Sequence, residues 1–134
     1  MTTLITRYQG TLRTENIHSR SGSMVITDAP VDNKGKGEAF SPTDLVCTAL
    51  SSCMLTTMGI LAERENIDLT GLKTEVVKIM APAPRKISEI RVTMSHPTLQ
   101  ASEIQKQKLK NAALTCPVAL SLHDSVKQTV LFNF

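Results

Sequence analysis

Between Ser41 and Asn66 the sequence SPTDLVCTALSSCMLTTMGILAEREN reads as one long helix, and from Leu45 to Ala62 it carries no charge. Its apolar residues, Leu45, Val46, Cys47, Ala49, Leu50, Cys53, Met54, Met58, Ile60 and Leu61, fall on every side rather than along one stripe. A helix without a polar face has to be buried on every face. A chain of 134 residues fits a single domain spanning residues 1–134, with little core to spare around such a helix. A second copy of the chain, related by a two-fold axis, is the economical way to cover it.

The remaining composition narrows the function classes. The net charge is only +3 and Lys and Arg never run beyond two in a row, so the electrostatic footprint of a nucleic-acid binder is missing. One Tyr, three Phe and no Trp are too few for a base-stacking platform. The start, MTTLITRYQG, lacks the basic and apolar blocks of a signal peptide. Thr48, Ser51, Ser52, Thr56, Thr57 and Gly59 make the long helix too polar for a confident membrane span. A soluble cytoplasmic protein with no membrane or nucleic-acid partner is expected. Three cysteines at 47, 53 and 116 form no CxxC pair, which argues against a structural zinc site, and no metal or organic cofactor is expected.

Read in order, residues 3–9 and 11–18 suggest two strands meeting at Gly10, and Ser21-Gly22 turns the chain into a third at 23–27. Asp28-Ala29-Pro30 ends it, and VDNKGKGE (31–38) is a polar, glycine-bearing loop. The long helix opens on Ser41 as a cap, Pro42 at its first position and Asp44 in its first turn. Strands at about 70–80 and 86–95 flank the turn APAP (81–84); Ile90, Val92 and Met94 alternate with polar residues, as on a sheet with one wet face. A helix over roughly 101–114, capped near Ser102, shows Ala101, Ile104, Leu109, Ala112 and Ala113 on one side. TCPVALSLH (115–123) holds a short helix with Pro117 first, and a last strand covers about 125–134, with Val126, Val130, Phe132 and Phe134 on one face. Strands and helices are segregated, so the expected class is α+β, with antiparallel sheets around a long buried central helix.

Cys116 falls at the N-cap of the short helix, where N–H groups and the helix dipole favour a thiolate and lower the thiol pKa. Buried free cysteines are common, so Cys116 alone divides evenly between function and packing. Cys53 lies mid-helix and would need a nearby cation to react; without one it reads as core, and Cys47 more so. His123 suits a helix-end capping role, while His18 and His96 look like strand-end or loop residues. A Cys–His hydrolase stays open only if one of them meets a thiol in space. Arg13 and Arg85 read as solvated charges on their own.

The segments TDAP (27–30), SPTDLVCTALSSCM (41–54), PRKI (84–87) and TCPVALSLH (115–123), in this order and spacing, resemble the OsmC/Ohr family of small hydroperoxide-reducing proteins. The resemblance runs from about residue 10 to the C-terminus. It implies an intertwined homodimer with the cysteine-bearing helices at its centre, and a two-cysteine peroxidase. Cys53 matches the peroxidatic cysteine and Cys116 the resolving one, so a Cys53 sulfenic acid would condense to a Cys53–Cys116 disulfide that an external dithiol reduces, in the Ohr branch a lipoylated protein. Organic hydroperoxides, with hydrogen peroxide as a further candidate, are the implied substrates, in oxidative stress defence.

The family pairs the peroxidatic thiolate with an arginine from the N-terminal strands; Arg13 falls at about that place, with Arg20 the alternative. In the Ohr branch a glutamate follows the proline that opens the helix and orients the arginine. Here that position is Thr43, leaving Asp44, which suits the broader OsmC-like branch, or Glu38. The departure keeps a rival open, a non-enzymatic binder of a small hydrophobic ligand or a thiol redox sensor on the same dimeric fold.

Overall fold

The structure, a computed structural model, describes all residues from Met1 to Phe134 and divides into two compact units, Met1–Val46 and Cys47–Phe134. It is α+β.

In the first unit, strands β1 (Leu4–Gly10), β2 (Arg13–His18) and β3 (Met24–Asp28) form an antiparallel meander in chain order. The β1–β2 turn is tight, with Thr11 and Leu12 both left-handed at φ 52° and 62°. Such turns favour Asn-Gly, so these two side chains are strained there. The loop after β3 contains a single 3-10 turn (Val31–Asn33) that the sequence did not announce, and it curls so closely that a Cβ on Gly35 would lie 1.7 Å from the Ala29 carbonyl oxygen. Only glycine fits that approach.

Helix α1 (Pro42–Arg64) starts as its signals predict. The Ser41 hydroxyl accepts the Asp44 N–H at 3.1 Å and the Asp44 carboxylate accepts the Ser41 N–H at 2.9 Å, a reciprocal cap. It stops at Asn66, left-handed at φ 55°, with the Ile67 N–H reaching back to the Ala62 carbonyl at 2.8 Å and the Ile67 side chain buried. This six-to-one bond closes the helix as a Schellman motif, with Asn in the place usually held by Gly.

The second unit carries the rest of α1, then β4 (Lys73–Pro82), β5 (Arg85–Ser95), α2 (Glu103–Leu114), α3 (Pro117–Ser121) and β6 (Lys127–Asn133). Strands β4 and β5 form the antiparallel hairpin expected around the proline turn, but β6 pairs parallel to β5, from Glu89↔Lys127 to Ser95↔Asn133. The expectation of wholly antiparallel sheets is thus corrected. Two helices stand between β5 and β6, and such a crossover returns the chain to the end where β5 began. The core consists of Leu50, Met54 and Met58 from α1, Ile90, Val92 and Met94 from β5, Leu109 and Ala113 from α2, and Cys116. The capping box on α2 uses Ser102 with Gln105. Ile104, expected on the apolar side of α2, is 71% exposed.

Within one chain α1 is not buried all round. It buries Cys47, Leu50, Ser51, Met54, Met58 and Ala62, which share one stripe, while Ile60 on the other side is 57% exposed. By length and composition it is also the one helix long and apolar enough to cross a membrane, with only 28% of its most apolar stretch buried.

Candidate functional site: a thiol pair and an arginine clamp

Cys53 sits midway along α1 and is half-buried, and its backbone carbonyl accepts the Thr57 hydroxyl at 2.8 Å. Cys116 is the N-cap of α3, as Pro117 foretold, and its sulfur accepts the Ala119 N–H at 3.4 Å. The two thiols lie near one another, close enough for Cys53 to perturb the Cys116 thiol. The lowering of the Cys116 pKa expected from a helix start is present but outweighed. Burial, at 0% exposure, is the largest influence and pushes its thiol up; the neighbouring Cys53 pushes the same way, against the lowering by the Ala119 and Val118 amides. Complete burial was a tertiary fact that the local N-cap pattern did not contain. Cys116 is therefore held protonated, and Cys53 is the more exposed of the two.

Arg13, read as a solvated charge from its own surroundings in the sequence, is clamped. Its Nε and Nη2 donate to the two carboxylate oxygens of Asp28 at 2.7 and 2.8 Å, and Nη2 lies 3.5 Å from Glu38. Arg13 and Asp28 are cross-strand partners in the β2–β3 register. Hydrogen bonding to Arg13 holds the Asp28 carboxyl below the usual range despite its burial, and the same bonds raise the Arg13 guanidinium. Asp28 also accepts the Glu38 N–H at 3.1 Å. Of the carboxylates named from the sequence, Asp44 receives the Ser41 N–H and Glu38 makes the longer contact on Arg13; Asp28 was missed. Arg20 lies exposed in the β2–β3 turn.

The histidines are engaged elsewhere. His18 meets Ser21, buried His96 meets the Thr70 carbonyl and the Thr98 N–H, and the His123 ring accepts the Ser125 N–H. His123 thus fixes a turn after α3 instead of capping a helix end, because Leu122 has already left the helix. These partners give a Cys–His hydrolase no support.

Known proteins share this architecture. A crystal structure of a Psychrobacter arcticus 273-4 protein, named for osmotic stress induction and a detoxification response, superposes with a TM-score of 0.94 at 49% identity, covering 99% of this chain and 96% of that one. An organic hydroperoxide resistance protein OsmC from Legionella pneumophila (TM-score 0.69, 16% identity, 100% and 98% covered) and the organic hydroperoxide resistance protein OhrB of Bacillus subtilis (0.60, 16%, 97% and 96%) share the fold. No functionally curated sequence matches. The sequence signature of the OsmC-like protein family matches residues 35–130, which take in α1, Cys53 and Cys116, and the chain belongs to that family.

Proposed function

We propose that this protein is a two-cysteine thiol peroxidase that reduces organic hydroperoxides, with hydrogen peroxide as a secondary substrate. The observation that carries the reading is the nearness of buried Cys116 to half-buried Cys53. The Cys53 thiolate attacks the distal peroxide oxygen, the O–O bond breaks, and the alkoxide leaves as an alcohol after taking a proton, with Cys53 oxidised to a sulfenic acid. The Cys116 sulfur then attacks that sulfenic sulfur, water departs, and the Cys53–Cys116 disulfide forms. An external dithiol, of which a lipoylated protein is one kind, restores both thiols and becomes a disulfide itself. In this reading, as the family resemblance implies, Arg13 is the arginine that stabilises the Cys53 thiolate and donates to the departing oxygen. The names of the fold relatives from Legionella pneumophila and Bacillus subtilis support a peroxide-related role.

The working form is an intertwined cytoplasmic homodimer. Its support is the apolar surface one chain leaves exposed: Leu4, Ile5, Tyr8, Met24, Val25 and Ile26 on the first sheet and Ile60 on α1. A monomer rarely carries that much uncovered.

Titration of reduced protein with cumene hydroperoxide, and separately with hydrogen peroxide, tests the function. The expected result is loss of two thiols per chain, faster with the organic peroxide, and no peroxide consumption by Cys53→Ser. No thiol loss with either peroxide refutes it, and ester turnover without peroxide would point to a hydrolase instead.

A further inference from the structure

Helix α3 is five residues long, and Ala119 is its one buried residue; Leu120 is 72% exposed. So short a helix gains little from packing, and its first turn costs more order than its few backbone bonds return. Individual bonds therefore decide whether it holds. The Leu120 N–H reaches the Cys116 carbonyl at 3.1 Å, the Ser121 hydroxyl reaches the Pro117 carbonyl at 2.7 Å, and the Gln128 amide on β6 donates to the Ala119 carbonyl at 3.0 Å. At the N-terminal end the Ala119 N–H is received by the Cys116 sulfur at 3.4 Å. Beside the helix lies a cleft of about 380 Å³, walled in part by Ala119, Leu120, Leu122 and Val126, which gives α3 room to shift.

The sulfur that caps α3 is also the atom that the proposed reaction takes. We propose that closing the Cys53–Cys116 disulfide uncaps α3, and that the loosened helix opens the buried Cys116 sulfur to the external dithiol. The inference rests on the two-cysteine reading above. In the thiol, rotation about one side-chain bond aims the sulfur at the Ala119 N–H. In the disulfide the same sulfur is fixed by its bond to Cys53, within the narrow geometry such a bond tolerates, and the aim is lost. An N–H left without its acceptor in a buried place is destabilising until it meets water, and a one-turn helix meets water by opening. Reduced Cys116 is 0% exposed, so no thiolate can approach it while α3 is closed. With α3 open, one thiolate of the dithiol attacks the Cys116 sulfur, the S–S bond breaks and Cys53 leaves. The second thiol then displaces Cys116, the reductant ends as a disulfide, and the two released sulfurs take up the protons it gave. Cys116 recovers the Ala119 N–H and the helix closes.

The test compares the unmodified full chain reduced and after diamide, with peptide mapping to assign the Cys53–Cys116 bond and amide hydrogen exchange followed residue by residue by NMR. Protection of the Ala119 N–H should fall by about tenfold on oxidation, the scale of one lost N-cap, while the amides of buried Leu50 and Met54 keep theirs. Reduced Cys116→Ser, whose hydroxyl caps well, should keep Ala119 protected. Brief exposure of the disulfide form to glutathione, quenched in acid, should leave glutathione on Cys116. Equal protection of Ala119 in the two redox forms, or glutathione on Cys53 alone, overturns the proposal. If cumene hydroperoxide spares the thiols while diamide closes the bond and exposes Ala119, the switch stands and the peroxidase reading falls. If neither oxidant joins the two sulfurs, both fall.

Discussion

Cys116→Ala separates what Cys116 does for the fold from what it does for the chemistry. In the reduced protein the substitution removes the acceptor for the Ala119 N–H and so the cap of α3. Loss of an N-cap costs about 0.5–2 kcal/mol. It also deletes a sulfur from a core site with 0% exposure, which adds a cavity term of about 1 kcal/mol for so small a group. The sum is about 2 kcal/mol. At ~2.1 cal/mol/K per residue, 134 residues have an unfolding entropy near ~0.28 kcal/mol/K, so the melting temperature should fall by about 7 °C. A melt followed by circular dichroism with reductant present measures it, with Cys47→Ala, mid-helix and not a cap, expected to shift less. The same variant should consume one equivalent of cumene hydroperoxide per chain and stall as a Cys53 sulfenic acid that dimedone traps. A melting temperature within about 2 °C of the parent would refute the capping and packing argument. Continued turnover with no dimedone adduct would refute the resolving role.

Other outcomes follow from other parts of the molecule. Asp28 is held below its ordinary pKa by Arg13, so its stabilising contribution is complete above the unfolded value of about 3.9 and lost as pH falls through the folded value. An acid titration by circular dichroism should show a shallower loss of stability below about pH 4 in Asp28→Asn than in the parent. Val25→Glu, on an edge strand exposed within one chain, should convert a species of twice 14.6 kDa to one of 14.6 kDa in light scattering; a parent already monomeric defeats the dimer. Replacing Thr11-Leu12 by Asn-Gly relieves two left-handed residues and should raise stability by about 0.5–2 kcal/mol in a urea melt. Ser102→Ala breaks the α2 capping box and should lower it by about 1 kcal/mol.

What could be read from the sequence was whatever neighbouring residues decide. Ser41, Pro42 and Asp44 announce the start of α1 within a residue, and APAP marks the β4–β5 turn, because caps and proline act locally. The parallel pairing of β6 escaped, since strand periodicity tells which face is apolar and not which strand lies alongside. Asp28 escaped for a similar reason. In TDAP it looked like the end of a strand, and with the turn at Ser21-Gly22 it would not have faced Arg13. The hairpin instead closes with the His18 N–H on the Ser23 carbonyl at 2.8 Å, a shift of one residue in the turn's centre that brings 13 opposite 28. Counting register from that earlier turn would have found the pair.

The two thiols differ in the property that a division of labour needs, and the difference comes from burial rather than from the local sequence. A helix start draws Cys116 toward the thiolate, as does every N-cap cysteine, yet the packed core around it pushes the other way and prevails. A protonated, inaccessible thiol is a poor first nucleophile toward peroxide and a good partner for a sulfenic acid formed beside it. Cys53 has the opposite endowment: partly exposed and near Cys116, it sits mid-helix without a helix terminus beside it. On the proposed function, the difference in burial sets the order of events: oxidation begins at the more exposed Cys53 and is completed at Cys116.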